Sequence, residues 1–295
     1  MKKKILNLFM VAVIAIAFCG CGSAGGGEGK ITVGSKNYTE NIVLAHIMAE
    51  LIEAKTDLTV ERKVNLGGSN VAWKALENND IQLHPEYTGT IVSGYFQEET
   101  SSAEETLVRA QELANQSGFK LLEPFGMNNT YTLAVTKETA EKYNLKTFSD
   151  LARESEKLIL GCDFEFIDRA DGYPGLQRVY NMNFKEVKGM DHGIKYRSQK
   201  EKQVDVIDAF ATDGQLKVHD LVILEDDKEF FPPYHGLPII RQDTLEQYPE
   251  LEEVLKLLAG IVDDSTMQEL NALVDEEGMK AETVARDFLV SKGLI

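Results

Sequence analysis

The feature that most constrains this chain is a change of period repeated across residues 31–90. Ile31-Thr-Val-Gly-Ser35 reads as a short strand, and from Thr39, which suits an N-cap, apolar residues recur at helical spacing at Ile42, Val43, Ile47, Met48, Leu51 and Ile52. Leu58 to Val64 alternates apolar and polar, the pattern of a half-buried strand. Gly67-Gly-Ser-Asn70 then starts a second helix carrying Val71, Ala75, Leu76 and Trp73, the one tryptophan, which is expected in the core. The series ends in Asp80-Ile-Gln-Leu-His-Pro-Glu-Tyr-Thr-Gly-Thr90, a strand expected to stop at Pro85 and to deliver Tyr87 and Thr90 into a Gly-containing loop. Strand, helix, strand, helix, strand implies an α/β protein with a mainly parallel sheet. Sheets of that kind place ligand-contacting side chains beyond the ends of their strands.

A second alternation follows. An acidic-faced helix over 103–117 leads to a strand at Asn128–Val135, then helices near 137–143 and 148–155, a strand at 157–161 and a loop holding Arg169. Pro174 sits at a helix start, where its missing N–H costs nothing. Val204–Phe210 and Leu221–Leu224 read as strands, His235–Arg241 returns toward the first unit, and from 244 onward the pattern is helical. The two units resemble one another. Setting Tyr87 on Phe210 puts Ile81 on Val204 and Leu83 on Val206, and Gly34 with Lys36 matches Gly161 with Arg169 across a longer loop. Two similar lobes, each bringing an aromatic strand end and a basic loop to a shared cleft, are expected.

At the N-terminus, Met1-Lys-Lys-Lys4 and the apolar run Ile5–Phe18 suit a secretory signal, since the run is too short for a bilayer of about 30 Å. Phe18-Cys19-Gly20-Cys21-Gly22 looks like a bacterial lipobox with Cys21 as the lipidated residue, and the glycine-rich stretch to Lys30 reads as a flexible tether. Anchoring by lipid rather than by a spanning helix is therefore expected. Only Cys162 of the three cysteines lies in the body, which leaves no intramolecular disulfide there and suits a small buried residue. The net charge of −17 disfavours nucleic acid and anionic membrane and is permissive toward small cations.

The cleft would hold Tyr87, Tyr131, Phe210 and Tyr234 as rings, Lys36 and Arg169 as cations and Thr90 as a hydroxyl donor. A quaternary ammonium donates no ordinary hydrogen bond and is held by ring faces, each contributing about 0.5–2 kcal/mol. A carboxylate on the same ligand needs paired donors, which an arginine fork, a lysine and a hydroxyl supply. The set is complementary to a zwitterion. Taken singly, these residues also have bland readings: Arg169 pairing with Asp168 or Asp171, Lys36 as a solvated loop lysine. No metal-ligand spacing joins the five histidines, Glu165, Asp168 and Asp171 form no regular calcium loop, and neither a catalytic triad nor a phosphate loop is present. No catalytic residue, cofactor or metal is expected, which weighs against a surface hydrolase. An amino-acid or sugar binder would show fewer clustered rings.

Gly34-Ser-Lys-Asn-Tyr-Thr-Glu40, Asn65-Leu-Gly-Gly-Ser-Asn70, Pro85-Glu-Tyr-Thr-Gly-Thr90 and Thr212-Asp-Gly214 resemble, in the same order, the substrate-binding lipoproteins of osmoprotectant ABC importers for glycine betaine, carnitine and choline. The resemblance runs from about residue 31 to the C-terminus. It implies a type II periplasmic-binding-protein fold, two α/β lobes joined by two crossing hinge segments: residues 1–20 signal peptide, 21–30 tether, 31–131 with 236–295 one lobe, 132–235 the other. It implies an extracytoplasmic, lipid-anchored monomer that serves ABC permease subunits. The trimethylammonium cage maps to Tyr87, Tyr131, Phe210 and Tyr234, and the carboxylate partners to Lys36, Thr90 and Arg169. The chain departs from many relatives at Phe210 and at His84, where they carry tyrosine, so His84 is expected to bear on ligand choice. Glycine betaine or a related zwitterion (carnitine, proline betaine) is the expected ligand. Choline is the rival, and without a carboxylate it would leave Lys36 and Arg169 idle.

Overall fold

A computed structural model describes residues 29–100 and 102–295. The expectations for residues 1–20, for lipidation at Cys21 and for most of the tether lie outside these residues. Among the described residues no helix is long and apolar enough to cross a membrane.

Among the described residues ten strands form two five-stranded sheets: β1 Lys30–Gly34, β2 Thr59–Lys63, β3 Leu83–Tyr87, β4 Phe119–Leu121, β5 Tyr131–Val135, β6 Ile159–Asp163, β7 Glu186–Met190, β8 Val206–Phe210, β9 Val222–Ile223 and β10 Gly236–Arg241. Their orders, β2-β1-β3-β10-β4 and β7-β6-β8-β5-β9, are the same arrangement used twice. In each sheet three strands are parallel, and one strand arriving from the other unit (β10 or β5) inserts antiparallel beside the central one. The sheets are therefore mixed rather than mainly parallel.

The internal match read from the sequence is physical. β3 and β8 are the central strands and end on Tyr87 and Phe210. Pairing of Val33 with Leu83, and of Leu160 with Val206, makes Gly34 and Gly161 equivalent. A Cβ on Gly34 would lie 2.5 Å from Ile81, and one on Gly161 would lie 3.0 Å from Val204, so each glycine lets the matching apolar residue close over its strand.

β3 does not stop at Pro85. Pro85 faces Pro238 across the antiparallel pair, and on the other side pairing with β1 ends at Leu83, so the missing donors fall where the ladder has no use for them. Thr90 starts a turn of π-helix, Thr90–Tyr95, where a loop was expected. Nor is Thr39 the N-cap of helix Thr39–Lys55. Tyr38 holds that position without a side-chain cap bond, and the Thr39 hydroxyl donates to Asp275.

Helix Thr39–Lys55 is buried nearly all round, as a helix at the centre of a large domain is. Helices Ala281–Ser291 and Asp264–Asp275 pack on it, and the latter also packs on Gly214–Val218 of the second unit. Two crossing segments join the sheets and run side by side, bridged at Asn128 and His235, with the Asn129 N–H donating to the Tyr234 carbonyl at 3.0 Å. Trp73 is in the core, tilted against Tyr95 and edge to face with Phe119. Cys162 is fully buried, and burial raises its thiol pKa well above the usual range, so it is inert.

Candidate functional site

The strand ends meet at a cavity of about 220 Å³, about seven water volumes at ~30 Å³ each and of a size for a small metabolite. Tyr87 ends β3, Phe210 ends β8, Tyr131 begins β5 directly opposite Phe210, and Tyr234 stands two residues before β10. Tyr131 thus belongs to the second sheet. All seven residues expected at the site, Tyr87, Tyr131, Phe210, Tyr234, Lys36, Thr90 and Arg169, line the cavity.

The rings form a continuous wall. Tyr131 lies 4.8 Å from Phe210 and 5.5 Å, edge to face, from Tyr234. Tyr38, not anticipated as a site residue, joins Phe210 at 5.4 Å to Tyr87 at 6.4 Å and closes the series. Two hydroxyls are fixed behind the wall: Tyr87 donates to Glu40 at 2.8 Å, and Tyr234 donates to Asp171 at 2.6 Å. With those hydroxyls anchored and the chain buried around them, the rings are preorganised.

The cations are already partnered. Lys36 donates to Glu86 at 2.5 Å with both side chains buried, so it is not the solvated loop lysine of the bland reading. Arg169 gives its Nε and Nη2 to Asp171 at 2.9 and 2.6 Å, and Glu165 is 4.0 Å from Nη1. The pairing with Asp171 weighed from the sequence is real, and it orients the guanidinium without using all of it. An arginine has five N–H donors, and Nη1 makes no hydrogen bond to a described residue. The Thr90 hydroxyl also has no partner among the described residues, although Thr90 is buried. Contact between the units is close here. A Cβ on Gly94 would lie 2.9 Å from Arg169 Nη2, and one on Gly68 would lie 2.0 Å from Glu165 Oε1.

Beyond the rings lies a polar cluster that the sequence did not reveal. His192 stacks on Phe210 at 5.0 Å and 12°, with Nδ1 3.1 Å from Asp163 and Nε2 3.0 Å from Asp213. Burial disfavours its charge, but Asp213 and Asp163 override it and lift the imidazole pKa to about 10, so the ring is protonated at neutral pH. Lys195, fully buried, bridges Asp163 and Asp208 at 2.9 Å each. His192 begins the polar helix His192–Lys200, whose lack of apolar periodicity hides it. Tyr38 and Glu40, in contrast, lie inside the first quoted motif.

His84 does not line the cavity. It is fully buried, its Nδ1 meets the Pro85 carbonyl, and its Nε2 lies 4.0 Å from Glu86. Burial lowers its pKa to about 4, so it is neutral. His84, expected to bear on ligand choice from either the core or the cleft, is in the core, and its neighbour is Glu86, the partner of Lys36. Among the described residues no cluster of His, Cys, Asp and Glu could hold a metal ion.

The family model "Substrate binding domain of ABC-type glycine betaine transport system" matches residues 29–291. The carnitine transport binding protein OpuCC of Listeria monocytogenes is 34% identical over 301 residues, covering 98% of this chain and 97% of that protein. An ergothioneine transport permease/ergothioneine binding protein, EgtU of Helicobacter pylori, is 34% identical over 290 residues; the match covers 98% of this chain but only 52% of that longer protein. A crystal structure of a glycine betaine/carnitine/choline ABC transporter component superposes with a TM-score of 0.73 at 33% identity, over 90% of this chain and 99% of the other. The likeness spans the whole described fold and both sheets that build the cavity, and the chain therefore belongs to the substrate-binding proteins of ABC-type glycine betaine importers, which are binding components working outside the cytoplasm with a permease and not enzymes.

Proposed function

We propose that the cavity binds glycine betaine or a related zwitterionic quaternary amine such as carnitine or proline betaine, in osmoprotection. The observation that carries this reading is the unbroken wall of Tyr87, Tyr38, Phe210, Tyr131 and Tyr234, next to Arg169 Nη1, which makes no hydrogen bond to a described residue and lies 4.0 Å from Glu165. Ring faces attract the trimethylammonium. Arg169, Thr90 and Lys36 receive the carboxylate, with Asp171 and Glu86 holding the two cations in place. Carnitine binding by the Listeria relative, and the glycine betaine, carnitine and choline named for the solved relative, support this ligand class.

In this reading the sheets are the cores of two lobes hinged at the crossing segments, residues 31–130 with 236–295 and residues 131–235, the expected boundary moving by one residue because Tyr131 begins β5 of the second sheet. Ligand bridges Tyr87 and Lys36 of one lobe to Phe210 and Arg169 of the other and stabilises the closed state, which the permease reads. The protein acts as a monomer, anchored through lipid on Cys21. Calorimetric titration with glycine betaine, carnitine, proline betaine and choline tests the assignment. Binding of one or more zwitterions with weaker choline is expected, and choline binding without glycine betaine would overturn it in favour of a choline-preferring protein.

A further inference from the structure

Two of the sequence motifs end on residues that the ligand assignment leaves unused, Glu40 and Thr212-Asp-Gly214, and in the fold they meet. Glu40 is 2% exposed at the start of helix Thr39–Lys55. Its Oε1 accepts from the Tyr87 hydroxyl at 2.8 Å and from Asn129 Nδ2 at 2.7 Å, and its Oε2 accepts from Asn271 Nδ2 at 3.3 Å. The same two amides reach Thr212: Asn129 Nδ2 donates to its hydroxyl at 2.8 Å and Asn271 Nδ2 donates to its carbonyl at 3.0 Å. One buried carboxylate therefore connects a ring of the box, a crossing segment, the loop after β8 and a C-terminal helix. Gly214 belongs to the same junction, because a Cβ there would lie 2.7 Å from the Ala272 backbone nitrogen and push that helix away.

We propose that Glu40 is a positioning residue for the binding site: it fixes Tyr87 through the phenol hydroxyl, ties that ring to the second unit through Asn129, Asn271 and Thr212, and places a negative charge behind the box that favours a cationic ligand. This rests on the ligand class proposed above.

The geometry has a titration consequence. Burial raises the Glu40 pKa to about 7, the donated hydrogen bonds of Thr212, Tyr87 and Asn271 opposing it and Asp213 adding to it. Other titratable groups face it. Burial holds Tyr38 and Tyr87 well above 10 and raises Asp275. Against burial, Lys36 keeps Glu86 low and His192 keeps Asp213 low, while His192 itself titrates near 10. Asp208, lifted by burial to about 7, and Asp275 are competing groups; Asp208 lies in the Lys195 cluster away from Glu40, and Asp275 accepts from the Thr39 hydroxyl. A bound cation favours the Glu40 carboxylate. Affinity then falls as pH drops through 7, and binding near pH 7 releases a proton; a one-unit shift of Glu40 on binding corresponds to about tenfold in affinity.

The test is calorimetry with glycine betaine on wild type, Glu40→Gln, Tyr87→Phe and the double variant, at pH 6, 7 and 8 and in two buffers of different ionisation enthalpy. Tyr87→Phe keeps the ring face and removes the hydroxyl, with its 2.8 Å bond to Glu40 and the long 3.5 Å bond that it accepts from Asn41. Expected are about tenfold weaker binding in each single variant, a double variant no weaker than the worse single, and loss of proton release in Glu40→Gln. Glu40→Gln within twofold of wild type, multiplying losses in the double variant, or proton release persisting in Glu40→Gln and hence belonging to another group such as Asp208 or Asp275, would each overturn the proposal. Should Glu40→Gln not fold, Tyr87→Phe binding within twofold of wild type overturns it alone. If wild type binds none of the four quaternary amines, the ligand assignment fails instead.

Discussion

At the scale of single residues, the site shows how a side chain can be both paired and available. Arg169 spends Nε and Nη2 on Asp171, which in turn accepts from Tyr234, so one carboxylate sets the angle of a guanidinium and of a cage ring. Arg169→Ala removes the charged donor and leaves Asp171 with Tyr234. Charge-assisted bonds contribute about 1.5–3 kcal/mol, so glycine betaine is expected to bind about 10- to 150-fold more weakly, with choline changed far less. Equal losses in calorimetry would show that Arg169 does not meet the carboxylate. Phe210 has Tyr131, Tyr38 and His192 around its ring and Lys195 Nζ 5.4 Å from its centroid. Phe210→Tyr keeps the face that attracts a cation, and affinity is expected to stay within about tenfold. A complete loss on titration would place the cage elsewhere.

At the scale of elements, the decisive device is a strand that ends where its partner begins. β3 and β8 finish on rings, and the antiparallel newcomers β10 and β5 bring Tyr234 and Tyr131 beside them. The rings at these strand ends were legible in the chain, because β3 and β8 carry apolar alternation and lead into recognisable residues, but β3 was expected to stop at Pro85 and the antiparallel insertion of β10 and β5 was not expected. β4 and β7 were not expected. β4 has only three residues, and β7, Glu-Val-Lys-Gly-Met, is an edge strand without a buried face, so neither shows a period. The packing of helix Asp264–Asp275 against Gly214–Val218 depends on the missing Cβ of Gly214. Gly214→Ala is expected to lower stability by about 1–3 kcal/mol, as overpacking does, in urea unfolding followed by circular dichroism. An unchanged midpoint would mean that the helix shifts freely.

At the scale of the whole molecule, the cavity exists only because two units approach. Glu165 lies against Gly68 and Arg169 against Gly94, and each of these contacts joins residues about 75 or more positions apart in sequence. A ligand spanning both units stabilises the folded, closed protein by mass action. At a concentration one hundred times its Kd the gain is about 2.7 kcal/mol, which for a chain of this size raises Tm by about 5–10 °C. Differential scanning fluorimetry with glycine betaine, carnitine, proline betaine and choline measures this, and the absence of any shift with all four would contradict the proposed ligand class.

The amino-acid order by itself determined the α/β class, the repeat of one unit in another, and the rings that end the strands, because alternation and helical period report burial locally. It also placed Lys36 and Thr90 at the cavity through their motifs, and Arg169 through the internal repeat. Only the tertiary structure decided which charges neutralise which. Glu86 takes Lys36 from 50 positions away, Glu40 reaches Asn129 from 89 away, and His192 is held protonated by Asp163 and Asp213. His84, conspicuous beside the Pro-Glu-Tyr motif, turned inward for the same reason: a strand residue's face is set by the register with β10, and its charge by burial. Hydrophobic period is written in neighbours along the chain, whereas the partner of a buried ion is chosen by whatever the fold brings within about 3 Å.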